Sequence, residues 1–278
     1  MNDKADYDPA AVPIRPAATV MIVADRPDLQ VLMIERNASM VFAGGMWVFP
    51  GGAVDPGEAD EFEAYCDGLD DIAASEVLGV ESGGLAYWVA ALRENLEEAG
   101  LLLGWRRDGV ALDAATLRRD RERLNAGELT FLELVRRQGL TLDTGAVHYV
   151  SHWITPLGPP RRFSARFFVS SPPAGQDVQH DESETVGWAW MSPKRALEQF
   201  ERGEMVMMTP TVRMLRCLAW FDSAADVLAA GRARQPDEQC RVRYEADGSY
   251  TVVLPGDRGY EEGDRTRETG WVRLRPIS

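Results

Sequence analysis

The chain has 278 residues, enough for one large domain or two small ones, and 45% of them are hydrophobic, ample for a core. A net charge of −14 excludes a general binder of nucleic acid or of anionic membranes. Three scattered cysteines, Cys66, Cys217 and Cys240, make neither a disulfide framework nor a zinc site. With no apolar leader and no apolar run of about 18 residues, a soluble, cytoplasmic protein is expected.

Residues 1–16 contain Pro and Asp and predict a flexible N-terminus. Residues 17–23 and 30–35 read as strands joined by a turn at Asp25-Arg26-Pro27-Asp28. A loop over residues 39–45 leads to a short strand at 46–49, which ends at Gly51-Gly52. Residues 59–84 carry two helices, near 61–69 and 72–78. No Lys or Arg occurs between Asn37 and Leu92, whereas residues 55–81 hold ten acids, expected to form a solvated face. Leu85, Val89, Leu92 and Leu96 then recur at helical spacing and pin a helix over residues 85–99 to a core. Gly100 sits at a left-handed cap, and Leu101-Leu102-Leu103 reads as a buried strand. Helices follow at 114–126, carrying Arg118, Arg119, Arg121 and Arg123 on its surface, and at 130–138. Strands are predicted at 147–153, 162–170 and 186–191, helices at 192–202 and, as one long element, 209–230, and a late strand at 250–254. His148 and His152 alternate on a strand and receive no catalytic role.

The stretch richest in chemistry is Arg93-Glu94-Asn95-Leu96-Glu97-Glu98-Ala99-Gly100-Leu101. Glu94, Glu97 and Glu98 stand at i, i+3 and i+4 and share one helical face. Carboxylates about 5 Å apart repel by roughly 3 kcal/mol at an effective dielectric of about 20. An enclosed face of this kind needs neutralising, and hard divalent cations with oxygen ligands do that best. The spacing therefore points to Mg2+ or Mn2+. Upstream, Phe49-Pro50-Gly51-Gly52 ends a strand in a turn whose glycines let the backbone come close to a ligand. Strand, glycine loop and carboxylate helix together form a layout for holding a metal-bound diphosphate.

Gly52 to Glu58 and Arg93 to Leu101 resemble the two halves of the Nudix hydrolase signature, G-x5-E-x7-R-E-U-x-E-E-x-G-U, where U is bulky and apolar. Two departures stand out: residues 59–92 place 34 residues where the family usually has seven, and Asn95 takes an apolar position. Trp47-Val48-Phe49-Pro50-Gly51-Gly52, Arg162-Phe163-Ser164-Ala165-Arg166-Phe167-Phe168, Trp190-Met191-Ser192-Pro193 and Leu254-Pro255-Gly256-Asp257-Arg258-Gly259-Tyr260 further resemble coenzyme A diphosphatases that carry an insertion inside this box. A coenzyme A motif of another subgroup is half present: Gly45 and Phe49 keep its spacing, but position 41 is Val instead of Arg. The resemblance implies an α+β fold, an α/β/α sandwich around a mixed β-sheet. It places a Nudix domain at 17–230, a helical insertion inside the box at 59–84, and a C-terminal extension at 231–278 that either caps the pocket or forms a subunit contact.

The resemblance also implies roles. Glu97 and Glu98 become metal ligands, Glu94 a third ligand or an orienting group, and Gly52 or Gly51 a source of a backbone carbonyl. Arg93 pairs with carboxylates, first of all Glu58. Glu184, with Glu182 second, is either the carboxylate drawn from outside the box as ligand or general base or an ordinary loop acid, and His180 beside it reads as a solvated loop histidine. Arg161, Arg162 and Arg166 either meet an extra phosphate, such as the 3′-phosphate of coenzyme A, or are plain surface charge. The implied activity is Mg2+- or Mn2+-dependent hydrolysis of a nucleoside diphosphate linked to another group, coenzyme A or acyl-coenzyme A first. NADH, ADP-ribose and dNTPs are the alternatives. A non-catalytic nucleotide-binding module is the rival class, weakened because Glu58, Arg93, Glu94, Glu97 and Glu98 are all present. A small nucleotide is the expected partner, neither nucleic acid nor a membrane is, and a homodimer stays open.

Overall fold

The computed structural model describes residues 8–40, 43–179, 185–245, 250–267 and 269–277. The apolar run near the N-terminus becomes β1 (Ile14–Asp25), which starts three residues earlier than its hydrophobic pattern because Ile14–Pro16 already pair with a later strand. Strand β2 (Leu29–Arg36) returns antiparallel to it. Two short strands follow, β3 (Trp47–Val48) on β2 and β4 (Gly51–Ala53) on β1.

The insertion opens with a five-residue helix, α1 (Glu58–Phe62), a single 3-10 turn, and β5 (Cys66–Asp67). This replaces the helix expected over 61–69: the chain turns early because Phe62 is buried and stacks on Phe131 at 5.3 Å. The second helix, α2 (Asp71–Leu78), is capped by the Asp70 side chain. Asp71 accepts from the backbone of both Gly83 and Leu85 at 2.9 Å, which ties the end of the insertion to the start of α3 (Leu85–Ala99). The acids of the insertion are mostly exposed, as their density suggests; Glu58 is buried and Asp71 half-buried.

Leu101, Leu102 and Leu103 are buried but form no strand; β6 (Gly104–Arg106) begins after them. The Leu102 backbone is instead paired with the Gln176 side chain, which donates to its carbonyl at 3.1 Å and accepts from its N–H at 2.8 Å. Helices α4 (Ala114–Asn125) and α5 (Phe131–Gln138) follow, the latter with a full capping box at Thr130 and Glu133. Strand β7 (Leu140–Asp143) joins β5 and β6 in a small separate sheet.

The main sheet is completed by β8 (His148–Ile154), β9 (Arg162–Ser170) and β10 (Thr185–Met191). After α6 (Pro193–Glu201), the single long helix expected over 209–230 is two: α7 (Thr209–Leu218) and α8 (Ala224–Arg232). The break has a local cause, since Ser223 adopts an extended backbone and caps α8 by accepting from Asp226 N–H at 3.2 Å. The last strands are β11 (Glu238–Gln239), the hairpin β12 (Arg241–Tyr244) and β13 (Tyr250–Val253), and β14 (Gly270–Val272).

The large sheet runs β10-β2-β1-β9-β8-β14-β11, antiparallel except for the parallel pair β1–β9. Side chains of β1 alternate between its faces. Ala18, Val20 and Ile22 meet α3 through Leu85, Val89, Leu92 and Leu96, while Met21 and Val23 meet α7 and α8 through Val212, Leu215, Leu218 and Val227. Each such fully buried Leu or Val contributes about 1.5–3 kcal/mol, so packing rather than helix propensity holds α3 to the sheet. The architecture is the expected α/β/α sandwich around a mixed sheet, with the C-terminal strands β14 and β11 extending it.

Candidate active site

The site forms where β4 and α3 flank β1. Gly51 and Gly52 pair with Thr19 and Ala18, which leaves no room on either side. A Cβ at Gly51 would meet Ala18 O at 2.5 Å, and one at Gly52 would meet Glu94 Oε2 at 2.5 Å. The glycine loop thus lies between a strand and a carboxylate: at Gly51 only a bare backbone fits, and at Gly52 a side chain fits only if the Glu94 carboxylate moves.

The carboxylate helix ends in a built clamp. Gly100 takes the left-handed conformation (φ 70°) and donates to Leu96 O at 3.0 Å. Asn95, fully buried where an apolar residue is usual, donates from Nδ2 to Leu101 O at 2.6 Å and so fixes the exit of the chain. Arg121 lies outside the surface role suggested by its helix. It is buried and donates twice, at 3.1 and 2.8 Å, to Glu97 O. A cation at the C-terminal end of α3 also opposes the helix dipole.

Arg93 gathers the carboxylates. Its Nε donates to Glu58 Oε1 at 2.8 Å, and its NH1 to Glu94 Oε1 at 2.6 Å and Glu97 Oε2 at 3.2 Å; its NH2 reaches Ala53 O at 2.8 Å. One guanidinium therefore ties Glu58, the last residue before the insertion, to the helix and to the end of the glycine loop. Burial works against its charge, but Glu94, Glu58 and Glu97 together outweigh that and hold Arg93 firmly protonated. Glu98, only 3% exposed, accepts from Arg36 NH1 at 3.1 Å and from Gly51 N–H at 2.8 Å. Burial, followed by the neighbouring Glu94, pushes the Glu97 carboxyl up to about 7. Burial also raises Glu58, against the pull of Arg93.

Among the described residues no three His, Cys, Asp or Glu side chains already stand as a metal cage. The donor set nonetheless fits a hard divalent cation. Four carboxylates meet two guanidiniums, Glu58 Oε2 is buried without a hydrogen-bond partner, and Glu97 is driven toward its neutral form. Further positive charge would relieve all three conditions.

A cavity of about 840 Å3 opens from the loop. Gly51, Gly52, Ala53 and Arg36 form one end. Its walls are chiefly apolar, with Trp153, Phe163 and Met207 among them, and Tyr244 and Tyr250 of the hairpin β12–β13 also line it. Arg161 and Arg267 add charge, the latter donating to the Tyr244 hydroxyl at 3.1 Å. Helix α7 starts at this wall without a side-chain cap, so its first turn faces the cavity with favourable potential for an anion.

Of the three arginines singled out from the sequence, Arg161 lines the cavity; Arg162 and Arg166 do not. Arg162 is buried and donates to Thr155 O at 3.0 Å, closing the β8–β9 turn. Arg166 points to the other face of the sheet and lies between the rings of Tyr87 and Tyr149, at 5.2 and 5.7 Å. Glu184, Glu182 and His180 lie outside the described residues. Sequence reasoning missed Arg36, Tyr244, Tyr250 and Arg267. Arg36 had one signal, as the last base before a long stretch without any; the other three had none.

A family model, the NUDT19 Nudix domain, matches residues 73–218. The acyl-coenzyme A diphosphatase NUDT19 of Gallus gallus is 29% identical, over 91% of this chain and 82% of its own. That of Homo sapiens is 30% identical, over 84% and 72%. Among solved structures, a NUDIX hydrolase from Alicyclobacillus acidocaldarius shares 26% identity with a TM-score of 0.63, over 79% of this chain and 97% of that one. The family match spans more than half of the sequence, and the fold and the paired box halves agree with it: the chain belongs to the Nudix family.

Proposed function

We propose that the protein hydrolyses the diphosphate of coenzyme A or an acyl-coenzyme A, releasing 3′,5′-ADP and (acyl) 4′-phosphopantetheine, with Mg2+ or Mn2+. The observation that carries this reading is the large, mostly apolar cavity, of about 840 Å3, whose lining includes the glycine loop and Arg36, Arg161 and Arg267. A chamber of this volume with chiefly apolar walls and three arginines suits a diphosphate that carries both a largely apolar arm and a charged nucleotide. The names of the Gallus gallus and Homo sapiens relatives, both acyl-coenzyme A diphosphatases, support the same substrate class.

In this reading Glu94, Glu97 and Glu98, with the Gly52 carbonyl, would hold a divalent ion, which would supply neutralising charge for the diphosphate and a lowered pKa for water. Arg93 keeps Glu58, Glu94 and Glu97 in register, and Arg36 orients Glu98 at the cavity wall. Water adds to phosphorus, the bridging P–O bond breaks, and one proton is passed to a base, for which Glu184 is the sequence candidate. Arg161 and Arg267 bind the outlying phosphate. No described helix is long and apolar enough to cross a membrane. A cytoplasmic location completes the reading; whether the protein is a monomer or a homodimer stays open, and light scattering of the purified protein decides it.

The test is a hydrolysis screen with Mg2+ and Mn2+ against coenzyme A, acyl-coenzyme A, NADH, ADP-ribose and dNTPs. Selective release of 3′,5′-ADP is expected. Preference for another diphosphate overturns the substrate, and no cleavage of any overturns the enzyme in favour of a binding module.

A further inference from the structure

A second cavity, of about 320 Å3, shares no lining residue with the first. It is bounded by the insertion at Gly68, Leu69 and Val77, by Trp88 on α3, by His148 at the head of β8, and by Arg232 and Arg234 where α8 ends. We propose that it is a separate binding site for a small phosphomonoester.

The chemistry of the walls supports an anion. In a chain of net charge −14, this cavity is lined by two arginines and no described acid. Neither Arg232 nor Arg234 has an ion-pair partner among the described residues, and both are exposed, so a ligand reaches them without rearrangement. Acids close by do not line it: Asp237 pairs with Arg273 at 3.0 and 2.6 Å, Asp143 accepts from Ala146 N–H at 3.0 Å, and Asp67, which precedes Gly68 in the chain, is exposed. Arg234 holds a left-handed backbone (φ 49°), an uncommon conformation for a residue with a side chain and one that ordinarily marks a strained position. His148 lines the same cavity as the two arginines, and burial, followed by Arg232 and then Arg234, pulls it down to about 4. Two arginine forks suit a phosphate dianion. The volume is far beyond that of one water and reaches the low end of small-ligand sites. Leu69 and Val77, both half-buried, supply an apolar side for the organic part of an ester, which inorganic phosphate would leave unfilled.

The site is read out locally, because the chain has three histidines. Ring resonances of His148 are followed by NMR at constant ionic strength while glycerol 3-phosphate, or in a second arm inorganic phosphate, is added. The expected result is a saturable shift with the ester, weakened at least about tenfold in Arg232→Gln/Arg234→Gln and retained in Glu98→Gln. A silent His148, an equal response in the double variant, or loss of the response in Glu98→Gln overturns the proposal. Tighter binding of inorganic phosphate than of the ester overturns the choice of ligand. None of these readouts requires turnover, so the proposed diphosphatase activity stands or falls separately.

Discussion

Gly52→Ala is the most searching perturbation of the site, because it adds one methyl group at a place where the geometry states what must move. The new Cβ would stand 2.5 Å from Glu94 Oε2, against an ordinary contact of at least 3.4 Å, so the carboxylate must retreat by about 1 Å. The loop cannot yield instead, since Gly52 is paired with Ala18 on the central strand and Gly51 is pressed against Thr19. Retreat breaks the 2.6 Å bond from Arg93 to Glu94 Oε1 and disturbs the neighbouring bonds of the same guanidinium. A misplacement of about 1 Å in a positioned group costs on the order of 100-fold in rate, or about 2.7 kcal/mol of transition-state stabilisation. Folding should hardly notice. Gly52 does not have a positive φ, so alanine is allowed there and loses less chain entropy, a gain of about 0.4–1 kcal/mol that offsets part of the crowding. The assay is kcat with saturating Mg2+ or Mn2+, beside thermal unfolding of the same sample. Wild-type kcat within about twofold would refute the claim that Glu94 must lie against this backbone. Partial recovery in Gly52→Ala/Glu94→Asp, whose shorter side chain clears the methyl, would confirm the direction of the clash.

Glu98→Gln keeps the shape of the side chain but weakens its bond to Arg36, and activity should fall by at least about 100-fold with the fold intact; near-wild-type turnover would remove Glu98 from the machinery. Arg161→Ala should raise KM with little change in kcat, whereas Arg166→Ala should lower the unfolding midpoint and leave KM alone; the reverse pattern would contradict their placement on opposite faces of the sheet. His148 and His152 are both pulled down to about 4, by burial first and nearby arginines second. The unfolded chain, with values near 6.5, then binds more protons between these limits, so this contribution to stability is full above about pH 6.5 and is lost as pH falls toward 4. Urea midpoints should drop from pH 7 to pH 5, and the drop should shrink in His148→Gln; a constant midpoint would show that the rings are not buried as described.

Much of the fold was legible because it rests on local periodicity. The stripe Leu85, Val89, Leu92 and Leu96 and the cap Gly100 are enough to bound α3 at both ends. The carboxylate grouping was legible for the same reason, since spacing on one helix dictates a shared face. What stayed hidden depends on contacts made far along the chain. Leu101–Leu103 has the composition of a strand, but its neighbours supply side-chain partners instead of a ladder. Arg121 looked like one of several surface arginines until the end of α3 was brought beside it. Arg162 and Arg166 share a charged stretch with Arg161, yet two of the three are consumed by turn closure and ring packing. The hairpin that lines the cavity carries no local mark of that role.

The parallel pairing of β1 with β9 sets an order of events during synthesis. β1 leaves the ribosome first, but its neighbour on one side, Arg162–Ser170, emerges only after the insertion, α3 and the small sheet. Until then the nascent chain carries an apolar strand with an open edge, the kind of surface on which chaperones act and aggregation starts. The carboxylate helix is in hand long before the sheet it packs on is closed, and the walls of the large cavity are complete only once Arg267 and Thr269 have appeared. A chain stalled before that point would carry the metal-binding letters of its family and no chamber in which to use them.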